Sequence, residues 1–349
     1  MQKVLFVSWA ANCSRSDNLA RLLDGKSHMV YAGWLGSHPA TIVLKYIIQA
    51  ARTLALLFRE RPNLVFVMVP PIFAAVPVYL YCKLTGNRYV TDNHTAAFTM
   101  ARWQKLKWLH GWLEKRAACN IITNSQLHAL QKTWGIPEGK IFLVGDLPVQ
   151  FKKIETPPFL APADFNRHGA GNGKARNGFF AVTAVCSFNS DEPLDNILKA
   201  AAEMPEVTFY CTGKLKDAPA GLLERKPQNV NFTDFLSYAH YAGLLKESHG
   251  VIVLTTRDHT MQRGAYEAMA LGTPIITSDW PILRETFGRG SLFVDNSPAS
   301  IVAAVRQLQI DWSKFKTAIQ AQRAQRQAAW IEKEKELRRI LSLPAKAQH

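Results

Sequence analysis

The chain has 349 residues, of which 48% are hydrophobic and 20% are charged. That length exceeds what one hydrophobic core normally serves, so two domains are expected, and the apolar content excludes a disordered chain. The net charge is +15, and residues 1–150, with 17 basic against 7 acidic side chains, carry +10 of it. A basic surface favours phosphates, anionic lipids or nucleic acids as partners. The sequence has no helix-turn-helix, RNP or zinc-finger pattern, so nucleic acid is disfavoured.

The five cysteines are odd in number, scattered and without a Cys-x-x-Cys pair. This usage predicts reduced core thiols and a cytosolic protein. The apolar run at the amino terminus, MQKVLFVSWAAN, is short and is broken by Ser8 and Asn12. It therefore predicts a first buried strand over residues 3–9 rather than a signal peptide.

Strand and helix patterns alternate through the first 150 residues. After the first strand, Ser14 is predicted to cap a helix as part of a Ser-x-x-Asp capping box. Residues 64–82 are apolar for about the length of a membrane span. However, Pro70 and Pro71 divide this run into a strand and a helix. The alternation predicts a Rossmann-like domain over residues 1–150.

Two loops of this domain supply candidate functional residues, because ligands bind at the carboxyl ends of parallel strands. Ser14 and Arg15 follow the first strand and are candidates for binding an acceptor substrate. His94 ends the strand RYVTDNH. It is either a hydrogen-bond donor to a substrate or a loop histidine bonded to the adjacent Asp92–Asn93 turn.

The helix predicted over RWQKLKWLHGWLEKRAAC places three leucines on one face, which is typical of a core face. Trp108 and Trp112 lie beside that face, together with Lys105 and Arg116. Tryptophan and lysine beside an apolar stripe are typical of an interfacial helix, so an anionic membrane surface is a candidate partner. The alternative is that both tryptophans pack against a neighbouring helix.

The composition changes over residues 151–178, which are rich in proline and then in glycine and asparagine, and predict a linker. Residues 179–311 again alternate between strands and helices and predict a second Rossmann-like domain. Residues 312–349 predict a long, charged helical tail.

The most informative stretch is VIVLTTRDHTMQRGAYEAMALGTPIITSD, from Val251 to Asp279. It predicts a buried strand, a polar turn, a helix that ends at Gly272, and a second strand. The start of such a helix, at the carboxyl edge of a parallel sheet, is a typical phosphate site. Glu267 lies about one turn further along, where its carboxylate can accept hydrogen bonds from ribose hydroxyls.

The segment EAMALGTPIITSD resembles the C-terminal signature of retaining glycosyltransferases of the GT-B fold, especially family 4 (glycosyl transferases group 1). The resemblance implies two Rossmann-like α/β/α domains facing across a cleft, the first for the acceptor and the second for a nucleotide-sugar donor. It implies transfer of a hexose from a UDP- or GDP-linked donor to an acceptor hydroxyl, with retention of configuration. A lipid-linked saccharide or polysaccharide precursor is the expected acceptor. A cytoplasmic location, peripheral on the membrane, is expected.

The resemblance also assigns site residues. Glu267 matches the second glutamate of the signature, which binds the donor ribose. The first glutamate is replaced by His259, preceded by Asp258, and these two residues with His94 are the candidate catalytic residues. The Arg and Lys that bind the donor diphosphate in the family are replaced by Ser187 and Glu192.

Other residues are therefore predicted to supply the donor site. The candidates with Glu267 are Arg263, Gly264, Arg257, Lys214 and Ser187. No Asp-x-Asp motif occurs, so neither a metal nor another cofactor is expected. Two alternatives stay open: an inactive relative that serves as a binding or scaffolding subunit, indicated by the missing basic pair and His259, and a nucleotide-sugar 2-epimerase, which is another use of the same fold.

Overall fold

The computed structural model describes residues 3–36, 38–123, 125–145, 147–160, 179–258 and 260–345. The chain divides into two compact units. The first comprises Met1–Leu147 and Ala329–His349, and the second comprises Pro148–Ala328. Each unit contains its own six-stranded parallel sheet. The predicted α/β class with two Rossmann-like units is confirmed.

The first unit has a parallel sheet in the order β2-β1-β3-β4-β5-β6. Its strands are β1 (Val4–Ser8), β2 (Lys26–Met29), β3 (Leu64–Val69), β4 (Arg88–Asn93), β5 (Cys119–Ile122) and β6 (Ile141–Leu143). Its helices are α1 (Ser14–Leu22), α2 (Pro39–Glu60), α3 (Ala75–Thr85), α4 (Ala96–Thr99), α5 (Ala101–Gln104), α6 (Lys107–Arg116) and α7 (Ser125–Thr133).

Helices cover both faces of this sheet, which is why β1 and β3 are buried along their whole length and are apolar at every position except Ser8. Phe6 of β1 and Phe66 of β3 are register partners, and their rings stack at 4.2 Å. The core on one face includes residues of α2, α3, α6 and α7. The core on the other face includes residues of α1 and of the carboxyl-terminal helix.

Two local predictions for this unit have different outcomes. The division of the apolar run at Pro70 and Pro71 is confirmed, because β3 ends at Val69 and α3 begins at Ala75. The capping prediction for Ser14 is wrong. The N-cap of α1 is Cys13, whose thiol accepts a hydrogen bond from the Ser16 N–H, so Ser14 is the first helical residue.

The second unit has a parallel sheet in the order β12-β11-β10-β7-β8-β9. Its strands are β7 (Phe180–Ala184), β8 (Val207–Cys211), β9 (Val230–Phe232), β10 (Gly250–Val253), β11 (Ile275–Ser278) and β12 (Ser291–Val294). The helices that follow in the chain are α8 (Leu194–Ala202), α9 (Tyr238–Glu247), α10 (Arg263–Leu271), α11 (Pro281–Phe287) and α12 (Pro298–Ile340).

Residues 148–160 belong to the second unit, although the sequence predicts a linker over 151–178. The Glu155 N–H donates to the Ala239 carbonyl at 3.0 Å, and Phe151 stacks on Tyr238. Leu160 is buried in a small cluster with Leu244. The remaining part of the predicted linker, residues 161–178, lies outside the described residues.

The tail predicted over 312–349 is part of α12, which has a non-helical residue at Asp311. From Ala329 onward it belongs to the first unit, where Trp330 and Leu337 are buried. Arg338 is also buried there. It forms charge-assisted hydrogen bonds with Glu334 at 2.9 Å and Asp24 at 2.8 Å, and it donates to the Leu22 carbonyl at 3.0 Å.

Removal of Arg338 tests how strongly the tail stabilises the first unit. Arg338→Ala removes the guanidinium that is paired with the buried Glu334 carboxylate. We expect the free energy of unfolding to fall by about 3–5 kcal/mol, as for other broken buried ion pairs. The measurement is thermal unfolding followed by circular dichroism. The control is Arg339→Ala at the exposed neighbouring position, and equal melting temperatures for the two variants would contradict the prediction.

Candidate functional site

The switch point of the second sheet lies between β7 and β10, where the strand order reverses direction. Loops at the carboxyl ends of two such strands diverge and leave a crevice for a ligand. Here these are the loop after β7, residues 185–193, and the loop after β10, residues 254–262. The predicted donor-binding residues Ser187, Arg257 and Arg263 all lie in or directly after these loops.

Asp191 connects the two loops. Its carboxylate accepts a hydrogen bond from the Thr255 hydroxyl at 2.9 Å, and its carbonyl accepts one from the Thr256 N–H at 2.8 Å. The guanidinium of Arg257 lies 3.6 Å from the same carboxylate and is largely exposed. Arg257 is therefore held at the crevice, and its guanidinium N–H groups are exposed to solvent. Asp258 is exposed beside it, and His259 lies outside the described residues.

Helix α10 begins at this crevice. A Cβ at Gly264 would lie 2.9 Å from a methyl group of Val185, so only glycine permits the first turn to approach the end of β7 so closely. The N-cap residue is Gln262, and its side chain makes no capping hydrogen bond. The start of α10 thus lacks a side-chain cap from its N-cap residue, and the helix dipole favours negative charge there.

Glu267 lies one turn further along α10 and is buried, with 4% exposure. Three side chains donate hydrogen bonds to its carboxylate. Tyr241 donates to Oε2 at 2.8 Å, Tyr238 donates to Oε1 at 3.1 Å, and Arg263 donates to Oε1 at 2.9 Å. A carboxylate has about four acceptor positions, so these bonds leave room for about one more donor.

This network shifts the pKa values of its members. Burial raises the pKa of Tyr238, and the negative charge of Glu267 raises it further. The same two causes hold the pKa of Tyr241 well above its ordinary value. Partial burial alone would lower the pKa of Arg263, but its hydrogen bond to Glu267 raises it overall. Both phenols and the guanidinium thus remain protonated hydrogen-bond donors at neutral pH.

The two tyrosines are functional candidates that the sequence analysis missed. Tyr238 and Tyr241 lie one turn apart in α9, and their rings stack with a centroid distance of 6.1 Å. Phe151 continues the row, at 5.1 Å from Tyr238. Tyr238 is 44% exposed, so this aromatic row reaches the surface beside Glu267. The available signal in the sequence was the i, i+3 spacing of the two tyrosines, which places them on one side of a helix.

The loop after β7 holds an internal carboxylate. Glu192 accepts hydrogen bonds from the backbone N–H of Ser187 at 2.7 Å and of Asn189 at 3.3 Å. Phe188, between these two donors, has a φ of 60°. Successive N–H groups around such a residue form a concave anion site. In this chain the anion is the side chain of Glu192.

Lys214 lies in the loop after β8, next to Gly213. Its Nζ is 5.0 Å from the centre of the Phe235 ring, which is 70% exposed. The Leu215 N–H donates to Asp234 at 2.9 Å, so the loops after β8 and β9 are joined. Lys214 is therefore at the same edge of the sheet as the other donor-binding candidates. Its role stays a prediction.

In the first unit, Arg15 is committed to contacts within the fold. Its Nε donates to both oxygens of the buried Asp92, at 2.9 and 3.1 Å. Its two terminal nitrogens donate to the carbonyls of Gly145 and Val144. Arg15, in the first turn of α1, thus joins this helix to β4 and to the loop after β6. Its predicted role in acceptor binding, and that of Ser14 beside it, stay predictions.

His94 lies at the carboxyl end of β4, and its N–H donates to the Val69 carbonyl at 2.8 Å. Its Nε2 is buried and has no hydrogen-bond partner among the described residues. The Cys13 thiol lies against it. Burial raises the pKa of this thiol, but its contacts with the His94 ring and with Ser16 lower it overall. The alternative of a histidine bonded to Asp92 or Asn93 has no support from the contacts of the described residues.

One family of known proteins matches the second unit. Residues 181–311 match the family described as glycosyl transferases group 1. No curated protein sequence matches the chain.

Several solved structures have a similar fold. Sucrose-phosphate synthase from Thermosynechococcus elongatus is 14% identical, with a TM-score of 0.65 over 97% of this chain and 98% of that one. HepE from Anabaena in complex with UDP-glucose is 14% identical, with a TM-score of 0.64 over 97% and 99%. UDP-GlcNAc 2-epimerase from Methanocaldococcus jannaschii is 14% identical, with a TM-score of 0.57 over 88% and 92%.

At this identity the structural likeness establishes the fold, and the family match establishes the type of the second unit. Residues 181–311 match the family of glycosyl transferases group 1, and the chain has the GT-B fold of these solved structures.

Proposed function

We propose that the protein transfers a hexose from a nucleotide diphosphate sugar to an acceptor hydroxyl. The second unit binds the donor. The observation that carries this proposal is the start of α10: a helix N-terminus at the switch point whose N-cap side chain makes no capping bond, with Glu267 held one turn behind it. A diphosphate fits the first feature and a ribose fits the second. The solved neighbour HepE was crystallised with UDP-glucose, which supports a UDP-linked hexose as the first donor to test.

The chemistry that the site must supply is stabilisation of the departing nucleotide diphosphate. The N–H groups of α10 and the exposed guanidinium of Arg257 are directed to the crevice, and Arg263 lies in the first helical turn. Fixed donors of this kind stabilise negative charge as it develops on the leaving group. We further propose retention of configuration and, for the acceptor, a saccharide carried on a lipid or a polysaccharide precursor. Both rest on the resemblance of the signature around Glu267.

A second candidate is an inactive relative that binds nucleotide without transfer. The observation that favours it is the carboxylate of Glu192 on the Ser187 and Asn189 N–H groups. A negative side chain at this loop opposes a diphosphate nearby. The two candidates are separated by thermal unfolding with UDP, GDP and their sugar conjugates, followed by assays of sugar release and transfer. Ligand at a hundred times its Kd stabilises the folded state by about 2.7 kcal/mol. Stabilisation without release or transfer would identify the inactive relative.

Glu267→Gln tests the ribose assignment. The amide keeps an acceptor oxygen for Tyr241 but removes the negative charge, so the fold should persist while the bond to a ribose hydroxyl weakens. We expect UDP-glucose affinity to fall by at least about tenfold, the loss for one charge-assisted hydrogen bond. Isothermal titration calorimetry measures this. The control is Glu285→Gln in the exposed part of α11, and equal affinities for the two variants would refute the assignment.

Glu192→Gln tests whether the internal carboxylate opposes the donor. The glutamine can still accept from the Ser187 N–H, so the loop is expected to keep its conformation. One negative charge about 8 Å from a diphosphate costs about 2 kcal/mol at the effective dielectric near a protein surface, and physiological salt reduces this to about 1 kcal/mol. We therefore expect UDP to bind about fivefold more tightly. Unchanged or weaker UDP binding would place the diphosphate elsewhere.

Independence from metal is a further prediction. Helix N–H groups and basic side chains are proposed to take the role that a divalent cation has in other transferases. Sugar transfer should therefore continue in excess EDTA at the rate measured before chelation. Loss of transfer in EDTA that added Mg²⁺ or Mn²⁺ restores would show that the donor site has been assigned wrongly.

A further inference from the structure

Helix α2 carries an unusual amount of exposed apolar surface. Three adjacent positions on its outer side are occupied by Val43, Leu44 and Ile47, which are 63%, 50% and 60% exposed. Phe58, near its end, is 48% exposed. In the described part of the chain, Ala40–Glu60 is the one helix long and apolar enough to cross a membrane, yet only 28% of its most apolar window is buried. A core helix of a soluble domain would bury most of that window.

The inner side of α2 shows that the helix belongs to the fold. Gln49 donates to the Val30 carbonyl at 2.8 Å, and the Trp9 indole donates to Thr53 at 2.9 Å. Lys45 is buried and donates to the Gly36 carbonyl at 2.7 Å. A helix that left the sheet to span a bilayer would place these polar groups in hydrocarbon, at a cost of several kcal/mol each. The helix is therefore suited to lie on a membrane rather than to cross it.

The neighbouring helices extend the same surface. α3 packs beside α2, α6 packs beside α3, and all three cover one face of the first sheet. On their outer sides, Leu80 and Leu84 of α3 are 42% and 75% exposed, and Trp108 of α6 is 70% exposed. Trp112 is 38% exposed, with the Arg116 guanidinium 4.0 Å above its ring. We call the outer sides of α2, α3 and α6 the three-helix face.

The exposed charge in the interval that contains the three-helix face is almost entirely basic. Between Ala40 and Ala117 the sequence contains three acidic residues, and two of them, Asp92 and Glu114, are buried. The third, Glu60, is 21% exposed and bonded to Lys3. The exposed basic residues in the same interval are Arg52, Arg59, Arg61, Lys83, Arg102, Lys105, Lys107, Lys115 and Arg116.

We propose that the three-helix face docks the first unit on an anionic membrane surface. Exposed aliphatic and tryptophan side chains enter the interfacial region of the bilayer, and the surrounding lysines and arginines contact anionic headgroups. The all-basic charge selects this occupant over a second copy of the chain, because two such faces would repel one another. The inference goes beyond the proposed function, and its test needs no nucleotide sugar.

Cosedimentation of the full chain with lipid vesicles tests the proposal. We expect binding to vesicles of phosphatidylcholine with about one-third phosphatidylglycerol, and weaker binding to phosphatidylcholine alone. Each basic residue near an anionic surface adds to the affinity, and salt screens that attraction within about 10 Å at 0.1 M. Binding should therefore fall steeply between low and high salt. Absence of binding to anionic vesicles at low salt would overturn the proposal.

Two pairs of variants locate the docking surface. Leu44→Gln with Ile47→Gln should reduce vesicle binding by at least about tenfold, because two apolar side chains no longer enter the bilayer. The matched control is Leu223→Gln with Ile310→Gln, which changes two equally exposed side chains of the second unit. Lys105→Glu with Lys107→Glu should also weaken binding, in contrast to Lys314→Glu with Arg323→Glu. Equal effects of test and control pairs would overturn the location.

The oligomeric state provides the remaining outcome. If the three-helix face instead joins two copies of the chain, analytical ultracentrifugation should show a dimer that the Leu44 and Ile47 changes dissociate, with no vesicle binding. That result would replace the membrane by a second copy and overturn the proposal. All substituted side chains are exposed, so thermal unfolding of each variant should match that of the unchanged protein.

Discussion

The candidate donor site depends on one constraint, the burial of the Glu267 carboxylate. A charge removed from water must be hydrogen-bonded and paired, or its burial costs several kcal/mol. In this protein Tyr238, Tyr241 and Arg263 satisfy that requirement from three positions on two helices. The network therefore fixes α9 against α10. It also fixes the side of α10 from which a ligand can approach, because the Oε2 atom of Glu267 is already bonded to Tyr241.

The same network limits what Glu267 can do for a ligand. Three of about four acceptor positions are in use, so a ribose can add one hydrogen bond or displace an exposed donor. Arg263 is the donor best able to move, since its side chain is 57% exposed. A displaced Arg263 would turn its positive charge toward the start of its own helix, where phosphate oxygens are expected. The binding of ribose and the binding of diphosphate would then be coupled through one side chain.

The sequence predicted the secondary structure around Glu267 because the relevant signals are local: an apolar strand, a helix that ends at Gly272, and a second strand. It did not predict the partners of Glu267, since Tyr238 and Tyr241 are 29 and 26 residues away and their approach depends on how α9 packs on α10. It identified the unusual Glu192 but not its contact with the loop N–H groups, which requires the φ of Phe188. Cys13 was missed as a helix cap because a serine, the better cap on average, follows it.

The basic charge of the first 150 residues is a further feature whose location the sequence alone does not show. The order of the strands in the sheet determines which of these residues lie on one surface. β2, β3, β4 and β5 follow one another in the chain and advance in one direction across the sheet, with β1 between β2 and β3. Right-handed crossovers between successive parallel strands put their helices on the same side. α2, α3 and α6 must therefore lie in one layer, and an interval of sequence with almost no exposed acid becomes a continuous surface. The sequence pattern identified Trp108 and Trp112, at the edge of this surface. The structure adds the larger apolar surface of α2. Periodicity alone does not distinguish the outward side of that helix from its inward side.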